Sequence, residues 1–585
     1  MQAARIRQAA PALSTAERSV SELKEKRVGN DGLRRRIMSR WMRALGGAGA
    51  CLLLFGLAAR ASGLYGVWYT NHPEVLSLPY LSGGQVMAQW RDLETGPATY
   101  NWDKLDSALA AGGKSFSVQV NGNGKPPFLF SLVPNTPNWG DGSASDSKLL
   151  MYWHPAFVNT YTAFVAALAE HLKVSPYRSS FLGVRMNFNP IGTEHMKVPP
   201  EHQKASTWTV PDGVANGPDW SEEVSQSYEL RVVDAFIHAF GTSSSSIHLF
   251  LRANTDPWVL THQAAGQPPG FLYQDFFRQG TFQLMMTGSE LEPRSVGNTG
   301  EYEMYLKYSL PGLTVGYAEP MADAWGGHGG KTDPRWCTPP QWNYWRLLSD
   351  LNMGISDIAA YGEDLSVAYS ATRKGANVGA DYQAEFDQAF RFAARYAGHH
   401  LDPATAPGAW IAFRQSDKNL PASDYNTRVT DYRQHLVLLN PEETVPLNAR
   451  KNGVPAPLIA KKTVAGEYTI GPYNERFGAW ARSIAAGHTA ELQLDKTFLA
   501  GVNGTTGAAV NVTYLDNAAG ASFTTSFGTQ AVVTKLSNSG LWQTRTIPVT
   551  SKFAADAKGG HIAITSAGGV VIFHMVEVTR PTRPR

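Results

Sequence analysis

From residue 62 to about residue 400, short apolar runs of strand length alternate with stretches in which apolar residues recur at three- and four-residue steps. The runs fall at 64–69, 85–90, 115–120, 181–188, 247–252, 282–287, 313–317 and 355–361. Between and after them, 102–111, 156–172, 225–240, 272–279, 301–309, 341–351 and 381–397 carry helical periodicity. Strands alternating with helices predict a parallel sheet with helical crossovers, an α/β fold. Eight such strands predict a (β/α)8 TIM barrel rather than an open doubly wound sheet, which would show a Gly-rich dinucleotide loop. The join between the first two strands has the least helical character of the series.

After Ala397 the helical periodicity stops, and Pro403, Pro407 and Gly408 mark a boundary. Residues 409–414 and 434–439 predict a small β segment packed on the barrel, occupying 401–462. From about 463, runs at 477–483, 490–494, 509–514, 531–536, 542–549, 561–565 and 570–578 alternate between Gly, Asn and Ser turns. That spacing predicts a C-terminal antiparallel β-sandwich over 463–585, either a carbohydrate-binding module or a structural brace.

Composition narrows the class. A chain of 585 residues that is 43% hydrophobic and 17% charged has ample core material, which excludes disorder. The formal charge of +3 comes from the head: residues 1–61 hold 12 basic and 4 acidic side chains, leaving 40 basic and 45 acidic beyond, a net −5. A basic surface for nucleic acid is therefore not expected. Arg40 and Arg43 precede an apolar stretch at 44–59, and Ala59-Arg60-Ala61 fits a signal-peptidase site, so 1–61 read as a leader and signal peptide. A secreted or periplasmic product follows, with no membrane span after cleavage. The polar leader is long for a signal, which predicts translation from Met38 or Met42. Of the two cysteines, Cys51 lies in the signal and only Cys337 remains, so neither a disulfide nor a multi-Cys metal site is available. No H-E-x-x-H, G-x-S-x-G or P-loop motif occurs, and no cofactor is expected.

In a barrel, reactive groups gather where the strands end. Past the third strand stands Asn121; the fourth runs into Asn187, Asn189, Glu194 and His195; past the fifth stands Trp258; past the sixth, Glu292. Tyr317 closes the seventh strand and leads to Glu319 and Trp325, and Glu363 follows the eighth. Trp153 and His154 open the helix before the fourth strand, and Trp139 and Trp336 are further loop indoles. Two carboxylates can cleave a glycosidic bond with retention if their carboxyl groups lie roughly 5–5.5 Å apart. Glu194 and Glu319, leaving the fourth and seventh strands, are the pair that fits, the less hydrogen-bonded of the two staying protonated as acid. The other named residues would bind substrate, with indoles stacking on sugar faces and amides taking hydroxyls. Each also has a structural reading: a solvated loop Glu, a His bonded to loop backbone, a Trp plugging a loop.

The string at 83–109, with Trp90, Leu93, Glu94, Gly96, Tyr100, Trp102, Leu105 and Asp106, resembles the early part of clan A (β/α)8-barrel glycoside hydrolases of the β-galactosidase, β-xylosidase and agarase or carrageenase kind. The resemblance implies an acid/base after strand four and a nucleophile after strand seven, which are the places of Glu194 and Glu319. Many members carry Asn directly before the acid/base, whereas Thr193 stands here. The implied activity is that of a retaining hydrolase on a polysaccharide or oligosaccharide. The other class is a carbohydrate-binding or cell-surface protein on a barrel that has lost catalysis, and an inverting hydrolase or a lyase is a third reading.

Overall fold

The computed structural model describes residues 63–68, 73–110, 114–192, 195–240, 247–250, 279–281, 315–317, 339–352, 357–369, 382–400, 402–413, 431–447, 450–451, 454–455, 475–477, 481–503, 506–554 and 560–581. Eight strands form one sheet: β1 (Gly63–Trp68), β2 (Leu81–Gln89), β3 (Ser115–Asn121), β4 (Phe181–Arg185), β5 (His248–Phe250), β6 (Gln279–Thr281), β7 (Val315–Tyr317) and β8 (Asp357–Tyr361). Their order is β6-β7-β8-β1-β2-β3-β4-β5, with every ladder parallel. Strands adjacent in sequence are adjacent in space, and β1 pairs with both β2 and β8. β5 and β6 are the two ends of this order, and no ladder between them is among the described pairs. The parallel sheet and its helices make this part of the chain α/β.

The first two strands depart from propensity. Ser82-Gly83-Gly84 offers little to pack, yet β2 begins at Leu81. Gly83 is pinned between Tyr65 of β1 and Ser115 of β3, and Gly84 between Gly66 and Phe116. Two ladders override the entropic cost of strand glycine. The expected strand at 282–287 lies outside the described residues; the paired segment is β6, three residues earlier, which also takes Gln279 from the expected helix at 272–279.

Crossover helices α1 (Asp103–Ala110), α2 (Pro155–Val174), α3 (Glu222–Phe240) and α4 (Pro339–Asn352) follow the expected periodicity. After β8 the chain forms α5 (Gly362–Tyr369) and α6 (Gln383–Tyr396). Pro155 occupies the first turn of α2, where its missing N–H costs nothing, and Phe157, Tyr161, Phe164, Leu168 and Leu172 make one buried stripe. Glu222 and Glu223 open α3, where acidic side chains favour the helix dipole. These stripes pack on Val86, Val118, Val120 and Val184 of β2, β3 and β4. Because successive strand residues point to opposite faces, the residues between those valines face away from the helices.

Beyond α6 the chain builds two antiparallel sheets. The seven-stranded one contains β9 (Gly408–Ala412), β10 (Tyr432–Gln434), β12 (Thr444–Leu447), β13 (Ala481–Ile484), β15 (Ala509–Asp516), β18 (Leu541–Pro548) and β20 (Val571–Thr579). The five-stranded one contains β11 (Leu436–Leu438), β14 (Thr489–Leu494), β16 (Ser522–Phe527), β17 (Gln530–Lys535) and β19 (Ile562–Ala567). They share a core of Val510, Val512, Val576 and Val578 against Leu492, Phe523, Ile562 and Ile564. The stretch 401–462 supplies β9, β10 and β12 to the seven-stranded sheet and β11 to the five-stranded one, the switch from β10 to β11 falling at His435 with φ 61°.

A second core crosses from the parallel half into the antiparallel one. Leu348 and Leu351 of α4 and Phe386 and Phe390 of α6 share a cluster with Trp410, Tyr432, Phe477, Trp542 and Met575. Within it Tyr344 Oη and His574 Nε2 are 3.0 Å apart, and the Arg476 guanidinium donates to Glu385 at 3.0 Å. Replacing the fully buried Leu348 by Ala is expected to cost about 2–5 kcal/mol. Hydrogen exchange should then rise in β20 as well as in α4; faster exchange confined to α4 would contradict the shared core.

Candidate functional site

On the face of β2–β4 turned from the helices stand Gln85, Met87 and Gln89 of β2, Gln119 and Asn121 of β3, and Arg185 of β4, with Asn187 just beyond. Register places Gln89 beside Asn121 and Gln119 beside Arg185. Barrel interiors are normally filled by branched apolar side chains; this face is a row of amides around a guanidinium. Arg185 Nη1 donates to Gln119 Oε1 at 2.9 Å, and Gln119 Nε2 donates to Asn121 Oδ1 at 2.6 Å. Asn187 Nδ2 donates to the same Asn121 oxygen at 2.9 Å and to Val120 O at 2.8 Å. Asn187 is 1% exposed, and among the described residues its buried Oδ1 meets no donor, nor do Gln85 Oε1 and Gln89 Oε1. A buried acceptor left unmatched costs about 1–3 kcal/mol, so each of these oxygens calls for a donor beyond the described side chains.

The segment leaving β4 is held from all sides. Past Arg185 the backbone has no ladder, and its buried carbonyls are met by side-chain donors. Tyr161 of α2 donates to Asn187 O, Tyr228 of α3 to Phe188 O, and Tyr152 to Met196 O at 2.8 Å. Burial pushes the Tyr161 and Tyr228 phenols well above their ordinary range, which keeps them donors. Asn189 sits in the left-handed region at φ 46°, and its side chain is fully matched: Oδ1 accepts from Gly122 N at 2.8 Å, and Nδ2 donates to Val120 O and Tyr161 Oη. A Cβ on Gly122 would lie 2.7 Å from Asn189 Cβ, so only glycine permits this approach.

Lys125 joins the loops after β3 and β4. Its Nζ donates to Gly122 O, and to Ile191 O and Gly192 O at 3.2 Å each. Burial pushes Lys125 down to about 7, against the pull of Asp146, whose carboxylate accepts the Lys125 backbone N–H at 2.7 Å. The same loops meet again where Asn135 and Thr209 exchange backbone hydrogen bonds at 2.9 and 2.8 Å. Arg91 lies over Gly124, bonded to Ser145 and 3.6 Å from Asp146.

The expected site residues divide three ways. Asn121 and Asn187 stand together in the amide row, and Asn189 braces it from behind. Trp153 and His154 are buried: the indole N–H donates to Pro218 O at 2.8 Å, and His154 caps α2. The His154 ring accepts from Ala156 N at Nδ1 and lies 3.0 Å from Ala215 O at Nε2, so Nε2 carries the proton. His195 is exposed, 3.1 Å from Asp141. Burial works against the Asp141 charge, but Ser143 and His195 hold its carboxyl below the ordinary range. Tyr317 ends β7 and Glu363 lies in α5. Glu194, Glu319, Trp258, Glu292 and Trp325 lie outside the described residues. Ile191 and His195, on either side of the 193–194 pair, are joined by a backbone hydrogen bond of 3.2 Å. Trp139 stacks on His202 with ring centres 5.0 Å apart and meets Trp208 edge-on.

Gln85, Gln89, Gln119, Arg185 and Lys125 were not among the expected residues. For the strand residues the signal was present as period-two alternation, Gln-Val-Met-Ala-Gln, Val-Gln-Val-Asn and Val-Arg-Met-Asn, hidden because each run is apolar on average.

No protein-family model matches the chain, and no curated protein does. Among solved structures, the C-terminal CBM6 of LamC, a marine laminarinase from Zobellia galactanivorans, is similar over 23% of this chain and 99% of its own, at 15% identity and a TM-score of 0.13. A glycoside hydrolase is similar over 89% of this chain and 93% of its own, at 10% identity and a TM-score of 0.31. A glycoside hydrolase family 5 protein from Bacteroides vulgatus is similar over 89% of each chain, also at 10% identity and 0.31. Two of these three are therefore glycoside hydrolases, and at such scores the likeness bears on neither residue roles nor mechanism.

The loop after β2 carries a titrating carboxyl. Glu94 is 1% exposed, and Trp90 Nε1 donates to its Oε2 at 2.7 Å. Burial pushes Glu94 up to about 7, with the Trp90 and Ala98 hydrogen bonds opposing. The folded value lies above the unfolded one, so this group's contribution is fully present below the unfolded value and is lost as pH rises through about 7. Urea midpoints of the wild type should therefore fall more steeply from pH about 5 to about 8 than those of Glu94→Gln. Parallel curves for the two proteins would contradict the buried carboxyl.

Proposed function

We propose that the chain is an exported retaining glycoside hydrolase acting on a polysaccharide or oligosaccharide. In this reading the parallel sheet closes between β5 and β6 into a (β/α)8 barrel, Glu194 is the acid/base and Glu319 the nucleophile. The observation that carries it is the strand order: β4 and β7, whose chains continue to Glu194 and Glu319, are parallel members of one sheet, so both continuations leave from the same edge. β1 pairs with β2 and β8, so a single further ladder would close the cylinder.

The chemistry then follows from the residues. One Glu protonates the leaving oxygen while the other attacks the anomeric carbon; water, activated by the first, next releases the sugar with net retention. The amides and the guanidinium that β2, β3 and β4 carry on one face support a hydroxyl-rich ligand, because hydroxyls both donate and accept. The core shared by α4, α6 and the antiparallel sheets supports a bracing role for the C-terminal sandwich.

Glu194→Gln and Glu319→Gln should each lower turnover by about 10²–10⁴-fold or more with the fold intact by circular dichroism. Azide should rescue Glu319→Ala and give a glycosyl azide of inverted configuration. Near-wild-type turnover in both Gln variants, on a substrate found by screening algal, plant and bacterial polysaccharides, would end the assignment.

A further inference from the structure

Two grips hold the chain past β4, one on each side of position 194, and both come from the loop after β3. On the near side Lys125 Nζ donates to Gly122 O, and to Ile191 O and Gly192 O at 3.2 Å each. An ammonium has three N–H donors and no lone pair, so these three carbonyls use every donor it has. The group is buried; the charged side chains facing it are Asp146 and Asp141 of its own loop and Arg91 of the loop after β2, while α2 faces it with the Phe157 ring, 6.0 Å from Nζ. On the far side Asp141 lies 3.1 Å from His195 Nδ1, and its carboxylate accepts from Ser143 N at 2.9 Å and Ser143 Oγ at 2.5 Å. Ile191 N donates to His195 O at 3.2 Å, which joins the two gripped residues. Ser143 also lies against Gly192, where a Cβ would stand 1.8 Å from its Oγ.

We infer that Lys125 is a positioning residue for Glu194: its ammonium pins the carbonyls three and two residues ahead of Glu194 to that of Gly122, and so fixes where the acid/base leaves β4. Asp141 holds the residue that follows. The role of Glu194 as acid/base rests on the proposed function; the pin does not. Without the ammonium, three buried carbonyls lose their common donor, and the two loops part to reach water. A displacement of about 1 Å can cost about 10²-fold in rate. Here the displacement falls on proton transfer to the leaving oxygen and leaves the nucleophile beyond β7 where it was. A leaving group that departs without a proton therefore feels it little.

Lys125→Met in the full chain, compared with the wild type below pH about 7, where the buried amine is an ammonium, tests this. On the polysaccharide found by screening, kcat should fall about 10²-fold with KM nearly unchanged. On the dinitrophenyl glycoside of the same sugar, whose leaving group needs no proton, kcat/KM should stay within about threefold of the wild type. Hydrogen exchange should rise over 186–196 and stay as it was in α4. Lys125→Gln, one atom shorter and ending in two donors, should show the same pattern in smaller measure, and it serves if the Met variant does not fold. Unchanged turnover and exchange, or equal losses on both substrates, would overturn the inference. Glu194→Gln should divide the two substrates in the same way. If it does and neither Lys125 variant does, this inference alone falls, whereas full turnover of Glu194→Gln on the polysaccharide removes the proposed function itself.

Discussion

The parallel ladders joining β2, β3 and β4 set everything else. Their register aligns Val86, Val118 and Val184 beneath α2 and α3, and the two-residue period of a strand then sends Gln85, Gln119 and Arg185 to the opposite face. A slip of one residue would bury the guanidinium under the helices and turn the valines inward, so the apolar packing of one face enforces the polar order of the other. The glycines at 83 and 84 are tolerated because β2 is paired along both edges.

What grows from that register is a problem of unmatched backbone. Strand β4 stops at Arg185, and the buried chain beyond it needs donors. Tyr161 and Tyr228 supply them from α2 and α3, and Lys125 supplies them from the loop after β3. The segment that leads toward position 194 is thus fixed by groups from three different elements. Such over-determination is how a backbone position like Asn189, in the left-handed region, is maintained.

The far side of the molecule obeys a different logic. Tyr344, Trp345, Phe477, Trp542 and His574 form an aromatic cluster between α4 and the seven-stranded sheet, with His574 stacked on Phe477 at 4.7 Å and edge-on to Trp345 at 5.1 Å. Aromatic surface of that size needs a partner on both sides, which is why β9, next in sequence after α6, pairs with β20 near the C-terminus.

The sequence by itself determined the elements. Apolar periodicity is a local property, and α2, α3, α4 and α6 appear within a few residues of where three- and four-residue spacing puts them. β16 falls between the expected runs at 509–514 and 531–536, although its Ser522–Phe527 segment alternates Phe with Thr and Ser as a strand should. Asn121 could be singled out because it follows the run at 115–120 and Asn187 because it stands at the end of the run at 181–188, whereas Gln119 and Arg185 lie deeper inside those runs and took their significance from facing each other across a ladder. Only the tertiary structure decided that Trp153 and His154 turn to backbone carbonyls, that Lys125 clamps two loops, and which way each amide points. The physical reason is the same in each case. A hydrogen bond is fixed by partners some 60 or more residues away along the chain, and no local pattern carries that information.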